Sequence, residues 1–546
     1  MRARLASFAV TLLAVLTLGA TSSVFAQGQI IIVNVDGANE GFNDTTPAAP
    51  VGGNLGATLG QQRLNVFERA ADIWEGVLQP KNDIYVTAAF NPLGPNVLGS
   101  AGTTFIFRDF PGAELPSTWY HSAIADQLAG EELNPGFADI NAQFSSNFAF
   151  YLGYDNNEGA LVDLLPVVLH ELGHGLGFAN FVNETTGTLA LGFPDIYSQY
   201  TLDTTTDKIW NQMTNAERAT SAVNVRKVSW SGLHVNAAVP QVLSPGEPSV
   251  VVVSPAALGA FPLGAASFGP PLSSPGVTGD VALGEDGIGT VGDGCEPITS
   301  DVAGKVALID RGICAFAIKV KNAQDAGAVA VLIADNVAGS PPAGLGGVDP
   351  TITISSGRIT LADGNTIKAN LGTGVRVTLG LDLSILAGTD RQKGLMMVAA
   401  LDPVALGSSI SHFEAVASRN QLMEPAINVD LTSSVQPPED LTLPLMTDIG
   451  WFSDQDGVPD GEDSCLGSDI LPTVVIDGCD SSVSNVVFAD GCSISDQVNS
   501  CAVGQANHGG FVSCVAALGN RLKTSGTISG AEKGALQRCA ARSSLP

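Results

Sequence analysis

The residues best able to do chemistry are His170, Glu171 and His174, spaced His-Glu-x-x-His. On a helix, positions i and i+4 share a face, so the two imidazoles could hold one Zn²⁺ between them. Glu171 would then stand beside the ion, placed to take a proton from a water molecule. The chain has only six histidines, which makes their clustering informative. The pattern points to metal-assisted hydrolysis of peptide bonds, with proteins or peptides as substrates.

Such a motif needs a buried helix beneath the site. The apolar run Leu161, Val162, Leu164, Leu165, Val167, Val168 and Leu169 leads into it and predicts one. Further upstream, Ile-Ile-Ile-Val-Asn-Val after Gln29 reads as a first strand. Leu64, Phe67, Ala71, Trp74 and Leu78 recur at steps of three and four and predict an amphipathic helix. Ile84 to Phe90 reads as the next strand. This α/β order puts a sheet over the histidine helix, and an edge strand there could pair with an extended substrate.

Catalytic zinc usually takes three protein ligands and a water, so one ligand is still missing. Asn180 is close by, but a neutral amide is a poor zinc ligand. Asp195, in Phe-Pro-Asp-Ile-Tyr, is also near in sequence, whereas His412 is far away. Residue types alone leave all three open.

The surroundings of His412 add a resemblance. His170 to Phe178 reads His-Glu-x-x-His-x-x-Gly-Phe, and Ser411, His412, Phe413, Glu414, Arg419, Asn420, Leu422 and Met423 form a second block. Together they resemble the leishmanolysin-like metzincins, with Phe413 where that family has Trp. The resemblance implies an α/β (α+β) metzincin-type catalytic domain, with His170, His174 and His412 as zinc ligands and Glu171 as general base. It also implies that Met423 forms the turn beneath the metal, and Glu414 is a candidate for hydrogen bonding around the ligands. The chain departs from the pattern in two ways. All six tyrosines precede Thr201, so none follows Met423 to assist an oxyanion. No cysteine precedes the motif, so no upstream thiol can block the zinc.

Between the two blocks, Gly304 to Phe316 reads as strand, turn and helix start, Ala317 to Ala326 as helix, and Gly327 to Asn336 as a second strand. Strand, helix, strand predicts a parallel pair with a crossover. The segment resembles the protease-associated (PA) domain, which implies a Cys295–Cys314 disulfide worth ~3 kcal/mol and a lid, docking module or spacer. An insertion whose ends lie close together costs little entropy. The expected layout is a catalytic domain split into 27–245 and 386–452, an inserted mainly β/α domain at 246–385, an acidic linker at 453–464, and a small cysteine-rich region at 465–546.

In the linker, Asp454, Asp456, Asp460 and Asp463 surround a Gly turn and suit Ca²⁺, resembling a thrombospondin type 3 or EF-hand-like loop. Beyond it, six cysteines allow some fifteen pairings. Residues 1–26 read as a secretory signal peptide cut before Gln27. Val250 to Ala266 is broken by prolines and glycines, so it reads as strand and loop, not as a membrane span. Net charge −29 with 14% charged residues makes nucleic acid a poor partner. The expectation is a secreted zinc metalloendopeptidase, extracellular or periplasmic, without integral membrane association. The alternative is a non-catalytic adhesive protein that retains a structural metal site. An intact Glu171 argues against that, because a closed site needs no base.

Overall fold

The computed structural model describes residues 27–339, 341–428 and 431–545; the signal-peptide reading falls outside them. The first unit is built on a four-stranded sheet in the order Ile30–Asn34, Ile84–Asn91, Ile140–Ser145 and Gly99–Thr103. The first three strands run parallel, Ile30 facing Ile84 and Val86 facing Ile140. Gly99–Thr103 runs antiparallel at the edge, Gly99 facing Phe144. Strand Ile84–Asn91 alternates as a half-buried strand should, with Ile84, Val86, Ala88 and Phe90 inside.

Helix Leu59–Leu78 packs against this sheet, started by Thr58, whose side chain accepts from Gln61 N–H. It buries Val66, Phe67, Ala70, Ala71, Trp74 and Leu78. The buried stripe is shifted from the expected one, because Val66 and Ala70 lie inside while Leu64 is only half-buried. Phe67 meets Phe144 edge-on at 4.6 Å, and Trp74 Nε1 donates to Leu169 O at 3.2 Å. That bond ties the helix directly to the histidine helix, Leu164–Leu176.

Every residue of Leu164–Leu176 is buried. Asp163 caps its start by accepting from Leu165 N–H, and Pro166 falls in the first turn, where no donor is lost. The helix ends at Gly177, whose φ of 135° is open to glycine. The chain then forms a small sheet of Thr201–Asp203 with Lys208–Ile209 and Val228–Trp230, which the sequence did not foretell.

From Pro245 to Leu386 runs an eight-stranded sheet of its own. Its first and last strands, Pro245–Ser254 and Arg376–Leu386, pair antiparallel with Pro245 opposite Leu386. The two ends of this unit therefore lie side by side. Val306–Asp310, Ala330–Ala334 and Ser355–Ile359 are parallel, with helix Phe316–Asp325 as a crossover, as expected. Val250 to Ala266 falls on strands Pro245–Ser254, Ala260–Pro262 and Gly264–Ala265 with the turns between them.

The chain then returns to the first core. Buried Asp448, in helix Thr442–Asp448, accepts from Trp230 Nε1 at 2.7 Å and His234 N–H at 2.7 Å. Residues 473–545 form a separate core around Phe511, Val515, Leu518 and Leu536. A hairpin, Thr473–Ile476 with Cys479–Ser484, packs there with helices Ile494–Ala502, His508–Thr524 and Gly530–Arg542. Among the described residues, no helix is long and apolar enough to cross a membrane.

Candidate metal centre

The Nε2 atoms of His170, His174 and His412 lie 3.1 to 3.2 Å from one another. All three residues are buried. Each Nδ1 faces a carbonyl oxygen: Leu422 O for His170 at 2.8 Å, Phe178 O for His174 at 2.8 Å, and Ser408 O for His412 at 2.9 Å. A carbonyl can only accept, so Nδ1 carries the proton and each Nε2 offers a lone pair. Three lone pairs converging at this distance repel unless a cation sits between them. Zn–N bonds of about 2.0–2.1 Å in tetrahedral geometry hold nitrogens roughly 3.3–3.4 Å apart, so the donor set fits zinc. Burial pushes His170 down to about 4 and His174 to about 3, and His412 well below its ordinary value, which keeps all three rings neutral.

Glu171 lies on the same helix against the edge strand. Burial pushes its carboxyl up to about 8, opposed by a hydrogen bond from the Ala101 backbone. A Cβ on Gly99 would come within 2.9 Å of Glu171 Cγ, so a residue without one belongs there. The cleft above has a volume of about 790 Å³ and is lined by Gly99 to Ala101, the three histidines, Glu171 and Phe181, among others.

Met423 is fully buried beneath the helix. A Cβ at Gly173 would lie 2.9 Å from its Sδ, so helix and methionine meet at the glycine. The turn is held by Asp440, which accepts from Leu422 N–H at 2.6 Å, and by Gln421 Oε1, which accepts from Leu441 N–H at 2.9 Å. Phe413 meets Phe178 edge-on at 5.0 Å and thereby docks the second block onto the first.

The other two ligand candidates are used elsewhere. Asn180 Nδ2 donates to Ser411 Oγ at 3.0 Å and to Glu184 Oε1 at 3.1 Å, which latches the loop beside His412. Asp195 caps helix Ile196–Tyr200 and accepts from Phe181 N–H at 3.0 Å. Glu414 faces Arg226 at 3.9 Å rather than the histidines. Sequence reasoning missed the carbonyls of Ser408 and Leu422, because backbone acceptors carry no residue-type signal.

In the linker, Asp454, Asp456 and Asp463 bring oxygens within 4.8 Å of one another, and Oδ2 of both Asp456 and Asp463 is sealed without a partner. Asp460 does not join them, contrary to expectation. Its Oδ2 accepts from Phe452 N–H at 3.0 Å, and burial together with Glu114 pushes its carboxyl up to about 9. The short 3₁₀ turn Asp460–Glu462 rotates it inward.

All eight cysteines pair: Cys295–Cys314, as the resemblance implied, then Cys465–Cys492, Cys479–Cys539 and Cys501–Cys514. The first lies in the inserted unit, whose parallel strands and crossover helix are now in view. Residues 277–367 match the PA domain family.

Relatives match only part of the chain. Leucine aminopeptidase 2 of Arthroderma otae is 31% identical over 118 residues, covering 21% of this chain and 22% of that protein. Vacuolar-sorting receptor 5 of Arabidopsis thaliana is 36% identical over 96 residues, 15% and 14% of the two. The probable lipoprotein aminopeptidase LpqL of Mycobacterium tuberculosis is 37% identical over 89 residues, 16% and 18%. The chain thus spans less than a quarter of the length of these curated relatives. A solved aminopeptidase from Aneurinibacillus sp. strain AM-1 is 28% identical with a TM-score of 0.21, covering 26% of this chain and 31% of that one, a score too low to speak for a shared overall fold. Among the described residues, the PA domain contributes none of those lining the cleft.

Proposed function

We propose that this chain is a secreted zinc-dependent endopeptidase of the leishmanolysin-like metzincin type, with His170, His174 and His412 as the ligands. The observation that carries the reading is the convergence of three unprotonated Nε2 atoms beside Glu171, facing an edge strand in an open cleft. Zinc held there supplies Lewis acidity to a water and to the scissile carbonyl.

The chain's own residues do the rest. Glu171 accepts the proton of the attacking water and returns it to the leaving amine, a role suited to a carboxyl with a raised proton affinity. Strand Gly99–Thr103 is at the sheet edge, so its outer side can pair with an extended substrate and hold main chain on both sides of the cut. That supports cleavage within a chain. The disulfides favour an oxidising compartment, and the linker carboxylates suit Ca²⁺.

Incubation with casein, with and without a zinc chelator, tests this. Internal fragments that disappear under chelation are expected. Release of single N-terminal residues alone would replace endopeptidase by aminopeptidase. Zinc binding without any cleavage would favour the non-catalytic reading.

A further inference from the structure

Helix Ser122–Ala129 and strand Ile140–Ser145 are joined by a loop with an unusual charge arrangement. Asp126, Glu132 and Asp139 each bring a carboxylate oxygen within 4.8 Å of the others. Asp126 is 4% exposed and Asp139 1%. Each has one oxygen in use: Asp126 Oδ1 accepts from Leu133 N–H at 2.8 Å, and Asp139 Oδ2 from Tyr85 N–H at 2.9 Å. The remaining oxygens, Asp126 Oδ2 and Asp139 Oδ1, are sealed from solvent and receive no hydrogen bond from any other residue, and both side-chain amide atoms of Asn134 are sealed without a partner. Burial raises the proton affinity of both aspartates, which also face each other at hydrogen-bond range, and Glu132 adds a like charge.

Buried carboxylates that face one another need either a proton or a cation between them. A shared proton would answer only Asp126 and Asp139, and half-buried Glu132, whose Oε1 accepts from Asn134 N–H at 3.0 Å, would still add its negative charge to both. A comparable acidic group, Asp286, Asp293 and Glu296, is already answered by buried Lys319, whose Nζ donates to Asp293 O. Among the described residues, no lysine or arginine pairs with the first group.

We propose that Asp126, Glu132 and Asp139 hold a divalent cation of the calcium class. The donors are all oxygens, which suits a hard cation and disfavours zinc, and waters would complete six to eight ligands. The site ties the loop to the strand pair at the cleft, because Asp139 O accepts from Thr104 N–H at 2.7 Å and from Ser122 Oγ at 2.9 Å, directly beyond strand Gly99–Thr103. It stands independently of the zinc reading.

The test is a calcium titration of the full chain after chelation, with amide exchange followed in parallel. Asp126→Asn is expected to lose one bound calcium, whereas Asp463→Asn loses a different one. In the unsubstituted chain, calcium should slow exchange across residues 130–139 and raise Tm by several degrees. An Asp126→Asn chain binding as many calcium ions as the unsubstituted one overturns the proposal. So does exchange at 130–139 that ignores calcium, and this measurement decides the matter if the variant fails to fold. A variant more stable than the parent, with no calcium response in either, identifies a proton-sharing pair instead.

Discussion

His170 Nδ1 donates to the carbonyl oxygen of Leu422 at 2.8 Å, although 252 positions separate the two residues. The residue after Leu422 is Met423, packed beneath Gly173 of the same helix. One short turn therefore both orients the first histidine and supports the helix that carries it. Losing a group that sets the tautomer of a ligating imidazole typically costs about 10–100-fold in metal affinity.

Glu171 is the group whose removal should separate chemistry from metal binding. Glu171→Ala should retain zinc while casein cleavage falls by about 10²–10⁴-fold, the usual worth of a general base. Metal content by atomic absorption and turnover on the same sample check both halves. Retained turnover would sink the role of this residue.

His412 should behave in the opposite way. His412→Ala leaves two ligands and is expected to lose zinc on dialysis together with activity. Asp195→Ala, at the helix cap, should keep the metal and lose only stability, about 1 kcal/mol. Full zinc in His412→Ala would return Asp195 or Asn180 to consideration.

Gly173→Ala puts a methyl group against the Met423 sulfur, since the new Cβ would sit 2.9 Å from Sδ. Overpacking at a buried contact costs about 1–3 kcal/mol. Denaturant midpoints should show that loss, and the double variant Gly173→Ala/Met423→Ala should recover part of it relative to Met423→Ala alone. Equal penalties in both backgrounds would mean the contact is not the cause.

Asp460 predicts a pH dependence of stability. Its carboxyl is pushed up to about 9 by burial and by Glu114, above the ordinary aspartate value near 3.9. The folded state therefore holds the proton more tightly than the unfolded chain. Stability from this group is complete below about pH 4 and is lost as pH rises through about 9, by at most about 1.4 kcal/mol per pH unit. Denaturation in chelator between pH 5 and 9 should show that slope, and Asp460→Asn should flatten it. Identical slopes would place the titration elsewhere.

Much of the site was legible because its chemistry depends on local spacing. His170, Glu171 and His174 need only a helix to share a face, and the apolar run before them ensures that the helix is buried. Crossover helix Phe316–Asp325 was legible for the same reason, since strand and helix periodicities alternate along the chain. Helix His508–Thr524 was not, because Gly509 and Gly510 at its start read as a turn, and its stability comes from Phe511, Val515 and Leu518 packing in a disulfide-bonded core.

Sequence by itself determined two candidate ligands and a candidate base, the buried helix beneath them, and the side chains His412 and Met423 as candidates for the rest. Tertiary structure decided which candidates meet. Pairing Pro245 with Leu386 brings the ends of the inserted unit together, so His412 reaches the first two histidines despite its distance in sequence. It also turned Asp195 into a helix cap, Asn180 into a latch on Ser411, and Asp460 toward Glu114. A carboxylate or amide can serve a metal, a helix end or a buried neighbour equally well, and only the packing around it selects one.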